Sequence, residues 1–174
     1  MTARLGGRYR LSLANNVPTN PVFFIDTSVL CNLLKVPGRS DDYQAVQDEF
    51  ERRRKRGAKF ILPITTLIET GNFIAQSGGD RHAAAGRFEA AVQAAASADP
   101  PWIIRDVQWS THFLEHLLAG NSTGSTLVEH FAAKGLAAGD LAILIERDEF
   151  INSTSFSDVR IWTLDEKLDV YNPG

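Results

Sequence analysis

Four acidic residues occupy places where a folded α/β chain would bring them together. Asp26 follows the apolar run Val22–Ile25, and Asp165 follows the apolar run 159–163. Glu69 and Asp140 lie near the starts of two helix-like segments. Carboxylates packed together repel one another at neutral pH, and a bound divalent cation removes that repulsion. Hard oxygen ligands select Mg²⁺ or Mn²⁺.

The four acids therefore predict a catalytic metal centre. We expect Asp26 and Asp140 to be the main metal ligands, and Glu69 and Asp165 to complete the site directly or through water. Such a centre activates water and stabilises an in-line displacement at phosphorus.

Hydroxyl and amide side chains stand next to three of these acids. Thr27 and Ser28 follow Asp26, and Thr163 comes two residues before Asp165. Asn72 lies three residues after Glu69, which puts both on one face of a helix. These four side chains are predicted to orient the carboxylates or a bound water.

Asp26 has a simpler interpretation when it is taken alone, as the cap of the helix that begins near Val29. The presence of three further acids favours the metal site, and the capping role then passes to Thr27 or Ser28. Asp158 is a rival of Asp165, but it precedes the last strand and so would lie at the opposite edge of the sheet.

The elements that must position these acids follow from apolar patterning and from helix start and stop signals. Strands are predicted at 22–25, 59–62 and 159–163, with a further strand formed from 102–104 and 107–109. Three helices are predicted with definite bounds, at 40–56, 81–97 and 111–119. Two more are predicted from Thr65 or Thr66 to 76 and from Ser125 or Thr126 to 134. A short helix is predicted to end at Leu34, and the last helix is predicted to begin at Gly139.

Strands separated by helices predict the α/β class, as a three-layer α/β/α sandwich with a mostly parallel central sheet. Ligand sites of such sheets gather at the carboxyl ends of the strands.

The 174 residues suit one domain with a sizeable core. Residues 1–20 are predicted to be an N-terminal arm, in which 9–13 is a candidate edge strand. The segment 21–174 is predicted to be the domain, with a helical insertion around 78–135. The alanine-rich stripe 84–96 packs either on its own domain or against an identical subunit, so a homodimer stays an open alternative.

A net charge of -3 excludes a global basic field for binding nucleic acid. One local basic cluster exists, and it either binds RNA phosphates or is a solvated helix end. It consists of Arg52, Arg53, Arg54, Lys55 and Arg56.

Cys31 is the single cysteine, so no intrachain disulfide forms and a reducing, cytoplasmic location is expected. It is more often a core residue than a nucleophile in such an apolar run. The sequence shows neither a signal peptide nor an apolar run long enough to span a membrane.

Two further signals carry weaker hypotheses. His112 and His116, with Glu115 between them, match an inverted zinc-protease pattern, for which Glu129 or Glu146 would be a third ligand. The simpler interpretation is a half-exposed helix with polar histidines. Trp102 and Trp109 would either stack on bases or belong to the core.

Four segments resemble, in the right order, the motifs of PIN-domain nucleases. They are Phe23-Phe24-Ile25-Asp26-Thr27-Ser28-Val29-Leu30, Leu67-Ile68-Glu69-Thr70-Gly71-Asn72, Gly139-Asp140-Leu141-Ala142-Ile143-Leu144-Ile145 and Ile161-Trp162-Thr163-Leu164-Asp165.

The resemblance implies a PIN-like fold and a Mg²⁺- or Mn²⁺-dependent endoribonuclease that cleaves single-stranded RNA. The chain resembles bacterial type II toxin ribonucleases but has a longer central region. This resemblance implies an antitoxin protein as a candidate partner. The alternative is a non-catalytic PIN-like module that binds RNA or a protein.

Overall fold

Three short parallel strands form the sheet in the computed structural model, which describes residues 20–173. They are β1 (Val22–Ile25), β2 (Lys59–Ile61) and β3 (Val159–Trp162), in the order β2-β1-β3. In the register, Phe24 of the central strand is opposite both Ile61 and Ile161. β1 is apolar throughout because helices cover both faces of a central parallel strand. The predicted α/β class and parallel sheet are confirmed.

Eight helices accompany the sheet within the described residues. They are α1 (Thr27–Leu33), α2 (Tyr43–Lys55), α3 (Ile64–Gln76), α4 (Arg81–Ala95), α5 (Thr111–Ala119), α6 (Leu127–Ala132), α7 (Ala138–Ser153) and α8 (Glu166–Asp169).

Side chains of β1 alternate between two apolar clusters on opposite faces of the sheet. Ile25 packs with residues of α1, α2, α3 and α4. Val22 and Phe24 pack with residues of α7 and α8. In α7, the run 141–147 is buried along its whole length. Helices on both faces are compatible with the predicted three-layer sandwich.

Several helix boundaries agree with the signals in the sequence. Ser110 caps α5 by accepting from the Phe113 N–H, and Thr126 forms a capping box with Glu129 at the start of α6. Gly57 follows α2 with φ 81°, a left-handed conformation that favours glycine.

Several predicted helix starts shift by one to three residues in the structure, including those of α2 and α3. α2 begins at Tyr43 rather than at Ser40, since 40–42 form a turn in which the Asp42 N–H donates to Asn32 Oδ1 at 3.0 Å. α3 begins at Ile64 rather than at Thr65 or Thr66, directly after Pro63.

The predicted strand across 102–109 is wrong beyond one residue. Ile103 forms an isolated parallel bridge with Ile61: its N–H donates to Phe60 O at 2.8 Å, and its carbonyl accepts from Leu62 N at 2.9 Å. Ile104 is 45% exposed, and the chain from there to Ser110 has no regular structure. Without a covered face, this segment gains little from pairing with the sheet.

The predicted insertion around 78–135 contains α4, α5 and α6. Ala84 and Ala91 of the alanine-rich stripe are buried in the apolar cluster beside β1, so this part of α4 packs on its own chain. The candidate edge strand at 9–13, like the rest of the predicted arm before Asn20, lies outside the described residues. No helix among residues 20–173 is long and apolar enough to cross a membrane.

The sheet register generates a prediction for stability. Ile161 is 2% exposed and lies beside Phe24 in the buried layer below α7. Removing one methyl group by Ile161→Val should lower the free energy of unfolding by about 0.5–1.5 kcal/mol, measured by urea denaturation. Ile104→Val makes the same change at an exposed site and should stay within about 0.5 kcal/mol of the wild type. Equal losses in both variants would contradict the buried register.

Candidate metal centre

The four predicted acids line one cleft of about 670 Å³ at the carboxyl edge of the sheet. Asp26 follows β1, and Asp165 comes after β3. Glu69 lies in the second turn of α3, and Asp140 lies in the first turn of α7. Residues spread across most of the chain therefore meet in one place because parallel strands end at a common edge.

Asp26 is both a member of this cleft and the cap of α1. Its Oδ2 accepts from the Ser28 N–H at 3.2 Å, from Ser28 Oγ at 2.6 Å and from Thr163 Oγ1 at 2.8 Å. The expectation that Thr27 or Ser28 takes over the capping role is wrong, because it is the Asp26 carboxylate that accepts the free N–H of the helix. All three bonds fall on Oδ2, so none of them occupies Oδ1.

The same hydroxyls join the ends of β1 and β3. Ser28 Oγ accepts from the Leu164 N–H at 3.0 Å, and Thr163 Oγ1 accepts from the Asp165 N–H at 2.9 Å. Asp26 and the chain leading to Asp165 are thus fixed to each other through two hydroxyl groups. The predicted orienting role of Ser28 and Thr163 agrees with these contacts.

Glu69 is held against the same edge by contacts of α3. Thr27 Oγ1 donates to Glu69 Oε2 at 2.7 Å, and Thr66 Oγ1 donates to the carbonyl of Ile25 at 2.8 Å. A Cβ on Gly139 would overlap Glu69 Oε1, so glycine is needed where α7 approaches this carboxylate. The sequence predicts a helix that opens at Gly139, but only the close approach of Glu69 shows why a glycine is needed directly before Asp140.

The acidity of Asp140 is strongly perturbed in the cleft. Burial of its carboxyl, together with the smaller effect of the charges of Asp26, Glu69 and Asp165, raises the pKa of Asp140 to about 6, although the hydrogen bond from the Ala137 N–H lowers it. That N–H donates to Asp140 Oδ2 at 2.7 Å. The negative charges of the three other acids therefore reach Asp140, as expected for a cluster that favours a cation.

Asp165 is the most peripheral of the four acids. It is exposed, and its Oδ1 caps α8 by accepting from the Lys167 N–H at 2.8 Å. Its rival Asp158 lies at the opposite edge, where its carbonyl accepts from the Val22 N–H and its carboxylate pairs with Arg160. This agrees with the expected position of Asp158.

The donor set of the cleft fits a hard divalent cation. In the described range, no three histidine, cysteine or acidic side chains are arranged as a ready-made cage. Glu69, Asp140 and Asp165 each accept from a neighbouring hydroxyl or N–H instead. Mg²⁺ usually needs only one or two carboxylates and keeps several waters, so carboxylates spaced around an open cleft suit it.

Sequence reasoning missed several residues that share the cleft. Asp41 and Asp42 lie in the turn before α2 and line the cleft, where they increase its negative charge. Arg39 is the single cation among the lining residues, and its guanidinium lies 3.6 Å from the centre of the Phe73 ring. No sequence pattern indicates that Arg39 and Phe73 meet, because Arg39 lies in the loop before α2 and Phe73 lies on α3.

The α3 face toward the cleft follows helical spacing. Glu69, Asn72, Phe73 and Gln76 all line it. Asn72 is exposed and lies one helical turn from Glu69, on the face of α3 where it is predicted.

The basic cluster lies away from this cleft. It ends α2, which leads through Gly57 into the first residue of β2, so it sits at the amino edge of the sheet. Arg52 and Arg53 pair with Glu49, and Arg54 pairs with Glu51. Neither Lys55 nor Arg56 lines the cleft. The structure therefore does not bring the predicted RNA-binding residues Arg52, Arg53, Arg54, Lys55 and Arg56 together with the acids.

Cys31 and the tryptophans have mainly structural surroundings. Burial raises the pKa of the Cys31 thiol to about 11, which keeps it protonated at neutral pH and unsuited to nucleophilic attack. Trp102 is buried, and its ring N–H donates to Ala91 O at 3.2 Å. Trp109 is 59% exposed and lies against Phe113.

No protein-family model, curated protein or solved structure matches this chain significantly.

The raised pKa of Asp140 generates a pH-dependent prediction. The folded state holds the Asp140 proton more tightly than the unfolded chain does, so the carboxyl begins to destabilise the fold as the pH rises above about 4, and this penalty is complete above about 6. In EDTA at pH 7.5, Asp140→Asn should raise the free energy of unfolding by about 1–3 kcal/mol, and the gain should vanish near pH 4. Urea denaturation at both values measures this difference.

Asp99→Asn is the matched control, because Asp99 is an exposed acid in a loop outside the cleft. It should change the unfolding free energy little at either pH. A gain from Asp140→Asn that is the same at pH 4 and pH 7.5 would contradict the raised pKa of the Asp140 carboxyl.

Proposed function

We propose that this chain is a Mg²⁺- or Mn²⁺-dependent endoribonuclease, a phosphodiester hydrolase with a PIN-like domain that cleaves single-stranded RNA. One observation carries the proposal: Asp26, Glu69, Asp140 and Asp165 line a single cleft at the carboxyl edge of a parallel sheet. Burial and the neighbouring charges raise the pKa of the Asp140 carboxyl to about 6, and a bound cation would offset the cost of its charge.

The acids and the hydroxyl side chains at this site have separate proposed roles. Asp26 and Asp140 would hold the cation, and Glu69 and Asp165 would hold its waters. When bound, the cation would supply charge stabilisation at the phosphorus and a more acidic water. Ser28 and Thr163 fix the Asp26 carboxylate, and Thr27 fixes Glu69, so the ligands are restrained before substrate arrives.

The charge of the cleft favours a phosphodiester that arrives together with a cation. The lining residues include six acids and a single arginine, so an anionic substrate without metal would be repelled. Arg39 is the one lining group that attracts phosphate directly. The choice of single-stranded RNA over other phosphodiesters comes from the resemblance to PIN-domain nucleases, as does the proposal of an antitoxin partner.

The central prediction concerns Asp26. Asp26→Asn removes the charge but keeps an oxygen that can cap α1, so the fold should survive while cleavage of a fluorescent single-stranded RNA in Mn²⁺ falls at least about 100-fold, because the bound cation supplies several kcal/mol of charge stabilisation. Asp158→Asn, at the opposite edge of the sheet, is the matched control and should cleave like the wild type. Circular dichroism checks the fold of both variants. Cleavage by a folded Asp26→Asn protein at the wild-type rate would refute the metal assignment.

RNA binding distinguishes the alternative of a non-catalytic module. Such a module should bind the same RNA equally well in EDTA and in Mn²⁺, and should cleave it in neither. The nuclease proposal expects tighter binding in the presence of the metal, measured by fluorescence anisotropy with a non-cleavable RNA analogue, and expects that gain to be lost in Asp26→Asn.

A further inference from the structure

A second group of metal-ligating side chains lies on α5, in the central region that the proposed nuclease site does not use. His112 and His116 are one helical turn apart, and their ring centres are separated by 4.4 Å. Both side chains are exposed. Two histidines four residues apart on one helix face can bind a single zinc ion.

The orientation of His116 is fixed from outside the helix. Asn121 Oδ1 lies 3.3 Å from His116 Nδ1, while Asn121 Nδ2 donates to Asp148 Oδ2 at 2.8 Å. An ionised carboxylate only accepts hydrogen bonds, so the amide nitrogen must face Asp148 and the amide oxygen must face the ring. His116 Nδ1 is therefore the protonated nitrogen, and Nε2 carries the free lone pair that a metal requires.

Asp148 is itself held in place. Arg147 donates to Asp148 Oδ1 from Nε at 2.8 Å and from a terminal nitrogen at 2.7 Å. The series Arg147, Asp148, Asn121 and His116 thus runs from a buried arginine to an exposed imidazole. Hydrogen bonds of this kind behind a histidine are typical of metal ligands, since they fix the tautomer and the ring orientation.

The neighbouring helix supplies a carboxylate at the same place. Glu149 Oε1 of α7 lies 3.9 Å from His112 Nδ1. Two ligands of a tetrahedral zinc ion are about 3.3 Å apart, given metal–ligand distances near 2.0–2.1 Å. No three such side chains are preassembled around a metal in residues 20–173, so Glu149 would have to rotate toward the histidines to enter the coordination sphere.

This geometry differs from the protease pattern in the sequence. Glu129 is committed to the capping box at the start of α6. Glu146 is buried, and neither of its carboxylate oxygens has a hydrogen-bond partner in the described residues. Glu149, which the sequence pattern does not single out, is the carboxylate that faces the pair.

We propose that His112, His116 and Glu149 form a binding site for zinc or a similar transition-metal ion, separate from the acidic cleft. Imidazole ligands select Zn²⁺ over Mg²⁺, which prefers oxygen. The ion would join α5 to α7, the helix whose first turn carries Asp140. These helices already meet where Phe113 packs on Ala142 and Ile145, so the metal would strengthen an existing contact. The site does not depend on the proposed nuclease activity.

Zinc titration calorimetry of the untagged full chain tests the site. The acidic cleft is silenced by carrying out all titrations in an Asp26→Asn, Asp140→Asn background, so that the remaining binding is assigned to the histidine pair. We expect one zinc per chain, and at least a tenfold loss of affinity in both His112→Gln and His116→Gln. His82→Gln, an exposed histidine on α4, is the matched control and should bind as the background protein does.

Asn121→Gly tests the orienting role of the hydrogen-bond series. Asn121 has φ 53°, which glycine also adopts, so the variant removes the amide without straining the turn. It should weaken zinc binding roughly tenfold, as is typical when a group behind a metal ligand is lost. The proposal is overturned if the background protein binds no zinc, or if its zinc affinity is unchanged when both His112 and His116 are replaced by glutamine.

Discussion

The cost of burying and gathering carboxylates at one edge of the sheet is the constraint around which this molecule is built. The sheet is only three strands wide, yet the segments after β1 and β3, the second turn of α3 and the first turn of α7 all direct acids into one cleft. The cost is visible at Asp140, whose pKa rises to about 6 through burial and the neighbouring charges. A fold that places its acids in this way gains stability when a cation neutralises them.

The apolar core makes this arrangement rigid. Helices cover β1 on both faces, so the position of Asp26 is set by a strand that has no freedom to move. Ser28 and Thr163 then connect the ends of β1 and β3 around its carboxylate. Short hydrogen bonds from these hydroxyls hold the charged groups close together. Because the hydroxyls are small, they leave the cleft accessible.

The sequence was most informative where physical signals are local. Apolar runs located all three strands, and a carboxylate after a strand or early in a helix located the acids. It failed where the outcome depends on distant partners. The strand near Trp102 forms only one bridge to the sheet, at Ile103, and the sequence pattern does not indicate where that pairing stops. A turn before α2 brings three further charged residues to the cleft, namely Arg39, Asp41 and Asp42. Similarly, Glu149 is the partner of His112 only because α5 packs on α7. The Arg52–Arg56 cluster looked suited to RNA by composition, but chain direction puts it at the far edge of the sheet.

Anomalous diffraction from crystals of the full chain soaked in Mn²⁺ tests the central claim most directly. A cation site created by the clustered carboxylates predicts a manganese peak in the cleft, bound by Asp26 and Asp140. It also predicts that the peak disappears in crystals of Asp26→Asn. Manganese bound elsewhere on the molecule while the cleft holds none, or a cleft peak that persists unchanged without the Asp26 carboxylate, would contradict the account.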